Sequence, residues 1–373
     1  MPHAPFRADQ VGSLLRPKEV AEARARHEAG ELGARELAAI EDRAIEALIS
    51  KQQAVGLRAV TDGELRRENW ALDFLSGLGG TRVVEKEVAA ALRGGKMHGA
   101  RTMKVTTVVG KIHFGGHRLL EHFRFLKAHT KATAKMTIPS PTMLISASRD
   151  WREVVDRTVY PDIHALYHDL ALAYRAAIRA FYDAGCRYLQ LDDVNLAYLC
   201  DADMRQKLQA RGDDPQEVLD SWVRTLSTAL AERPADLAVT THICRGNFRS
   251  TWFAQGGYEA IAEALFNRLP YDGYFLEYDS ERAGGFEPLR FVPKGNKRVV
   301  LGLVTTKTGG LEDKHLIRER IEAASRFVSL DQLCLSPQCG FASTHEGNDI
   351  SEAQQWAKLE EIVELSREIW RDA

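Results

Sequence analysis

Apolar positions along the chain alternate between two spacings. Short runs rich in Val, Leu, Ile or Thr recur at residues 8–15, 57–62, 134–138, 188–192, 237–243, 273–278, 298–304 and 332–336, and each reads as a strand. Between them, longer stretches carry a helical period. Residues 37–55 put Leu37, Ile40, Ala44, Ala47 and Leu48 on one face, and residues 163–184 do the same with Leu166, Leu170, Ala173, Ala177 and Ile178. Residues 215–232, 258–268, 312–328 and 351–369 follow the same pattern. Regular alternation of strand and helix predicts right-handed βαβ units around a parallel sheet, and eight strands with a terminal helix fit a closed (β/α)₈ TIM barrel. A doubly wound sheet would want a glycine-rich phosphate loop after its first strand, and Val11-Gly12-Ser13-Leu14-Leu15 is not one.

One stretch breaks the rhythm. Residues 81–135 hold twelve Lys/Arg against three acidic residues, with residues 103–109 and 111–114 flanking Gly110 as the two arms of an expected hairpin. Lying between the second and third strands, this segment is expected to be an insertion at the rim of one barrel spanning 1–373. It would act as a lid, or as a docking surface for an anionic cosubstrate or partner.

Composition narrows the functional classes. The 373 residues are 45% hydrophobic and 27% charged, enough apolar material for a large core. Fifty basic residues nearly cancel 52 acidic ones, so no net field recruits nucleic acid. No run approaches a membrane span and the N-terminus lacks the apolar core of a signal peptide, so a cytoplasmic protein is expected. A homo-oligomer is compatible with this reading. The five cysteines are odd in number and far apart, which argues for buried thiols or metal ligands over a disulfide framework.

The chemistry concentrates in Thr241-His242-Ile243-Cys244-Arg245. Residues two apart on an extended strand end point the same way, so His242 and Cys244 can address one point in space. Later strands end in Phe275-Leu276-Glu277 and Ser336-Pro337-Gln338-Cys339, so Glu277 and Cys339 also fall at C-terminal strand ends, where barrel active sites are built. One imidazole, two thiolates and a carboxylate suit Zn²⁺ and not Mg²⁺ or Ca²⁺. Ligands drawn from separate strands favour a catalytic site, and zinc with two cysteines is suited to activating a substrate thiol. Cys186, Cys200 and Cys334 read as core thiols, and the histidines of the basic segment (His98, His113, His117, His122 and His129) pair with no cysteine or strand-end carboxylate, which argues against a second metal cluster.

At these residues the chain resembles the catalytic barrel of cobalamin-independent methionine synthase, especially its short single-barrel relatives. The matching motifs are Val-Gly-Ser at 11–13, Thr-Asp-Gly-Glu at 61–64, Leu-Gln-Leu-Asp-Asp at 189–193, His-x-Cys at 242–244, Glu277, and Pro-Gln-Cys-Gly at 337–340. The resemblance implies methyl transfer to the thiol of homocysteine, with His242, Cys244, Glu277 and Cys339 as zinc ligands and Glu277 the one that loosens. It also implies that Glu64 and Asp192 hold the amino group while Ser13 receives the carboxylate, with Asp193 as further support on the substrate side. An α-ammonium would satisfy carboxylates that are otherwise expensive to bury, and a salt bridge from Glu64 to Arg16, Arg66 or Arg67 is the competing arrangement.

Two departures limit the resemblance. Lys307 stands where the long enzymes have a histidine, which keeps a cation but makes a poor proton shuttle near neutral pH. The second barrel of the long enzymes is missing, so the methyl donor is left open between methyl-folate, a methyl-corrinoid and other compounds. Other expected alternatives are alkyl transfer involving another thiol such as coenzyme M, and a thiol-binding subunit that needs a partner.

Overall fold

A computed structural model describes residues 4–91, 98–342 and 344–373. Its strands are β1 (Ala59–Val60), β2 (Gly79–Ala91), β3 (His98–His113), β4 (Thr133–Pro139), β5 (Tyr188–Asp193), β6 (Ala238–Ile243), β7 (Gly273–Glu277), β8 (Arg298–Val304) and β9 (Leu333–Pro337). The α-helices are α1 (Lys18–Glu28), α2 (Ala34–Val55), α3 (Leu72–Leu75), α4 (Leu119–Ala128), α5 (Ile163–Asp183), α6 (Asn195–Cys200), α7 (Ala202–Ala210), α8 (Pro215–Leu230), α9 (Lys314–Ser325) and α10 (Glu352–Ile369). Seven strands form one curled parallel sheet in the order β1-β4-β5-β6-β7-β8-β9, and β2 pairs with β3 as a separate antiparallel ribbon. The strands from β4 to β9 are buried almost throughout, as expected where helices cover a parallel sheet.

The expected first strand, 8–15, is not a ladder strand. Ala8 makes a single parallel bridge to Leu335 of β9, and on the other side Leu14 N–H donates to the Gly63 carbonyl just past β1. The segment therefore spans the gap between the sheet's two edge strands. It is held there by side chains. The carbonyls of Gln10, Val11 and Gly12 accept from Lys135 Nζ at 2.5 Å, Gln190 Nε2 at 2.6 Å and Thr61 Oγ1 at 2.6 Å. With these carbonyls directed at side chains, the hydrophobic pattern of a strand is present and its ladder is limited to the bridge at Ala8.

Two further expectations are corrected. Residues 258–268 carry a helical period but form a short 3₁₀ turn at Tyr258–Ala260 and a π-helical turn at Ala264–Arg268. Tyr258 is tied to the strand end behind it, its hydroxyl donating to the Glu277 carbonyl and its ring lying under the Arg245 guanidinium. In the basic segment, 103–109 and 111–114 are not two arms of a hairpin. Residues 103–113 all belong to β3, which runs against β2 from Gly79↔His113 to Ala91↔His98, and the residues between the two strands lie outside the described ones. β3 continues through Gly110, and Gly80 meets the backbone there so closely that an added Cβ would lie 2.5 Å from the Lys111 carbonyl oxygen. The ribbon is followed by α4 and then by β4, so the C-terminal residues of the basic segment enter the main sheet.

Core packing explains the remaining elements. α5 and α8 lay Leu166, Leu170, Ala177 and Phe181, and Leu219, Trp222 and Leu226, into one cluster continuous with the sheet. Among the described residues no helix is long and apolar enough to cross a membrane.

Candidate metal centre and amino-acid pocket

Strand register brings the four expected ligands together. His242 of β6 lies directly opposite Asp192 of β5 and Phe275 of β7, so Glu277, two residues beyond Phe275, reaches the same face. Cys339 arrives from past the end of β9, where the pairing with β8 shifts between Gly302 and Val304 and Gln338 N–H closes on the Val304 carbonyl. Gly302 makes this approach possible: a Cβ there would lie 2.7 Å from Gln338 Cα and 2.9 Å from the Leu276 carbonyl oxygen. One ligand atom from each of His242, Cys244, Glu277 and Cys339 falls within 4.8 Å of all the others, and all four residues are buried.

The donor set and spacing fit zinc. Two sulfurs bonded to one tetrahedral zinc at about 2.3 Å lie about 3.8 Å apart, and Cys244 Sγ and Cys339 Sγ are separated by 3.7 Å. His242 presents both ring nitrogens to oxygens, Nδ1 at 3.6 Å from Asp192 Oδ1 and Nε2 at 3.2 Å from the Gln338 carbonyl. Whichever nitrogen binds a metal, the other keeps an oxygen partner to orient the ring. Glu277 is held on both oxygens: Oε1 accepts from Arg245 N–H at 2.8 Å and Asn247 Nδ2 at 2.6 Å, and Oε2 accepts from Arg282 Nη2 at 2.7 Å.

The electrostatics reflect a crowded, water-excluded site. Burial works to raise the Glu277 pKa, but Lys307, Arg282 and His242 outweigh it and hold the carboxyl below its ordinary range. Burial opposes a charged His242, yet Asp192, Cys244 and Glu277 raise its pKa to about 9. The hydrogen bond from Cys339 lowers the Cys244 pKa to about 7, and the same contact with burial pushes Cys339 well above a normal thiol. Two thiolates 3.7 Å apart repel each other in a buried site, so a cation is needed before both can be deprotonated together.

A second cluster adjoins the first. Glu64 sits in the left-handed region at φ 59, its N–H capped by Asp62 Oδ1 at 2.9 Å. Its Oε1 accepts from Thr137 Oγ1 at 2.7 Å and faces Arg67 Nη1 at 3.4 Å, whereas its buried Oε2 has no hydrogen-bond partner. Burial raises the Glu64 pKa, and Asp192 contributes in the same direction, which places the two carboxylates within electrostatic reach. Of the three arginines expected to compete for Glu64, only Arg67 reaches the carboxylate. Arg66 pairs with Asp42 and Glu41, and Arg16 donates to backbone carbonyls.

Ser13 lies against Gly340, the residue after Cys339, since a Cβ on Gly340 would stand 2.0 Å from its hydroxyl oxygen. Among the described residues none accepts a hydrogen bond from the N–H groups of Gly12 or Ser13. Asp193 does not join the pocket. It is fully buried, with Oδ2 accepting from Thr142 Oγ1 at 2.7 Å and Oδ1 from the Leu196 N–H of α6 at 2.8 Å, so it ties the β4 and β5 loops together. Lys307 is buried 3.8 Å from Asp279 Oδ2, and its Nζ has no hydrogen-bond acceptor. Cys334 and Cys186 are core residues, Cys200 is buried, and Phe74 packs on His117 and Tyr174. His345 is exposed beside Glu346.

Sequence reasoning missed the residues that hold the site from behind. Asn247 donates to both Glu277 and Cys244, at 2.6 and 3.4 Å, and Arg282 anchors the far oxygen of Glu277. Thr137 and Gln190 do the same for Glu64 and Asp192. Only Gln190 had a visible signal, its place two residues before Asp192 on the same strand face.

Fold and site together define a barrel-like α/β protein with a His/Cys/Glu/Cys centre next to a pocket of paired carboxylates. A family model described as the cobalamin-independent synthase catalytic domain matches residues 6–364, and the chain belongs to that family. A Bacillus subtilis (strain 168) relative, the uncharacterized protein YxjH, is 49% identical over 373 residues, covering 99% of this chain and 96% of the relative. A solved Listeria monocytogenes structure, described as a candidate vitamin-B12-independent methionine synthase, is 41% identical with a TM-score of 0.79 and covers 99% of each chain. The B12-independent methionine synthase from Shewanella sp. W3-18-1, solved with selenomethionine, shares the fold with a TM-score of 0.74 at 20% identity and covers 97% of each chain.

Proposed function

We propose that this protein is a zinc-dependent methyltransferase that moves a methyl group to the thiol of homocysteine. One observation carries the reading: the ligand cluster and the carboxylate pocket meet at Asp192 and His242, whose Oδ1 and Nδ1 are 3.6 Å apart. A substrate recognised there combines a soft, metal-seeking atom with a cation, which is the make-up of an amino acid with a thiol side chain. Family membership supports methyl transfer to homocysteine in general.

His242, Cys244, Glu277 and Cys339 would hold the zinc, which when bound keeps a coordinated thiol deprotonated at neutral pH while leaving it nucleophilic. Glu64 Oε2 and Asp192 receive the α-ammonium, and the free N–H groups of Gly12 and Ser13 with the Ser13 hydroxyl receive the α-carboxylate. Glu277 accepts three hydrogen bonds from Arg245, Asn247 and Arg282, so these donors can keep it in place if it gives up its position to the incoming sulfur. Lys307 acts as a fixed cation beside Glu277, a role that needs no proton transfer. Rate then comes from sulfur activation and from holding the thiol in line with the methyl carbon.

A second reading, alkyl transfer involving coenzyme M, is favoured by the buried Lys307 Nζ with no acceptor, which a sulfonate would satisfy. Zinc-loaded protein assayed with homocysteine and with coenzyme M, each against methyl-folate, methylcobalamin and simpler methyl donors, separates the two. Turnover with homocysteine alone is expected. Turnover restricted to coenzyme M, or full activity in a zinc-free Cys339→Ala variant, overturns the proposal. Activity that appears only on adding a second protein identifies a partner-dependent subunit.

A further inference from the structure

We infer that Gln190 is the positioning residue that makes this site select a thiol bearing an α-ammonium over one that lacks it; the inference rests on the amino-acid pocket proposed above. Gln190 is fully buried on β5, with its side chain on the same face as that of Asp192. A primary amide has two N–H donors. Both are spent here, one on the Val11 carbonyl at 2.6 Å and the other on Asp192 Oδ1 at 2.7 Å.

The orientation of this amide follows from its neighbours. Turned over, Gln190 would set its own oxygen against the Val11 carbonyl and the Asp192 carboxylate, three acceptors facing one another, so the nitrogen must point this way. Its oxygen is left buried without a donor. A buried acceptor without a partner costs stability, and packing alone would be served equally well by an apolar side chain of the same volume. The polar side chain is therefore explained by what its nitrogen does.

It does two things together. It holds Asp192 Oδ1 back toward His242, leaving the other oxygen of that carboxylate for the pocket. It also pins the 11–13 segment, whose next two N–H groups are the proposed receptors of the carboxylate. The amine side and the carboxylate side of the pocket are thus set by one amide, at a fixed spacing. A thiol without an α-ammonium gains nothing from that spacing and leaves Glu64 and Asp192 unpaired.

The test uses ligands that bind without turnover. Methionine and its amine-free analogue, 4-(methylsulfanyl)butanoate, are titrated calorimetrically into wild-type protein, Gln190→Met and Gln190→Glu. Wild type is expected to prefer methionine by roughly tenfold or more, the scale of a charge-assisted pair. Gln190→Met should reduce that preference below roughly threefold while moving the analogue's Kd little, and Gln190→Glu should reduce it likewise, because a carboxylate cannot donate to the Val11 carbonyl or to Asp192 Oδ1. Thermal unfolding identifies the variants that remain folded, and Gln190→Met removes the unpartnered oxygen, so it is the variant expected to fold. An unchanged preference in folded Gln190→Met, or equal weakening of both ligands, overturns the inference. Wild-type protein that binds neither methionine nor homocysteine overturns the underlying amino-acid pocket as well.

Discussion

Asp192 and His242 occupy paired positions on adjacent parallel strands, and the carboxylate of one lies 3.6 Å from the imidazole of the other. Through this contact a group expected to touch the substrate also orients a group expected to touch the metal. Exchanging Asp192 for asparagine should therefore weaken two properties at once, zinc retention and amino-acid binding. Zinc stoichiometry after dialysis against a chelator, measured beside methionine affinity, checks this. Outer partners of metal-bound histidines are typically worth 10–100-fold in metal affinity. A variant that keeps zinc as tightly as wild type removes Asp192 from the metal's support.

Cys339→Ser and His242→Ala should each abolish stoichiometric zinc and methyl transfer while leaving the secondary structure in place, because His242 lies near the end of β6 and Cys339 lies past the end of β9. Elemental analysis and circular dichroism report the two outcomes separately.

Glu64→Gln should lower homocysteine and methionine affinity by about tenfold or more, since one of the two carboxylates facing the ammonium loses its charge. Zinc content should not change, because Glu64 lies outside the ligand group. Stability should fall, because the buried Arg67 guanidinium loses the carboxylate that stands 3.4 Å from it. Loss of zinc together with affinity would place Glu64 in the metal site instead.

Gly302→Ala tests the route by which Cys339 reaches Cys244. The new methyl group would meet Gln338 Cα at 2.7 Å and the Leu276 carbonyl oxygen at 2.9 Å, both backbone atoms that cannot swing aside. The expected cost is about 1–3 kcal/mol in chemical denaturation, with weaker zinc binding as the Gln338–Gly340 turn is pushed outward. Wild-type zinc affinity in this variant would show that the turn can be displaced without harm.

His117 supplies a pH dependence of stability. Its ring is half-buried against Phe74, Nε2 meets the Phe74 carbonyl at 3.2 Å, and Nδ1 accepts from the Leu119 N–H at 3.1 Å. Burial lowers its pKa from 6.5 to about 4. Between those values the unfolded chain binds a proton that the folded chain does not, so stability falls as pH drops through 6.5 and levels off below about 4. Urea unfolding at pH 7.5 and pH 5 should show a smaller loss for His117→Asn than for wild type. Equal losses would assign the acid sensitivity elsewhere.

The ribbon of β2 and β3 shows where local pattern stops being informative. Only residues 103–109 and 111–114 were legible as extended, and β2 was not expected as a strand; Gly110 reads as a turn in the sequence and lies within β3 in the structure, because a lone glycine is as compatible with close backbone approach as with reversal. The helix expected at 258–268 failed for a related reason. Its period reports which face is buried, while the tie from Tyr258 to the end of β7 decides how its backbone winds.

By itself the sequence determined most of the alternation of strand and helix and the residue types of the candidate metal cluster, because periodicity and His-x-Cys spacing act over a few residues. Tertiary structure decided the rest. Segment 8–15 has the composition of a strand but spends three carbonyls on Lys135, Gln190 and Thr61, side chains from three other parts of the chain. Asp192 and Asp193 are adjacent and chemically identical, yet successive strand residues face opposite ways, so one lies beside His242 and the other is consumed by Thr142 and α6. The three side chains that hold segment 8–15 lie 125, 179 and 49 residues from the carbonyls they bind, and no local pattern encodes such pairings.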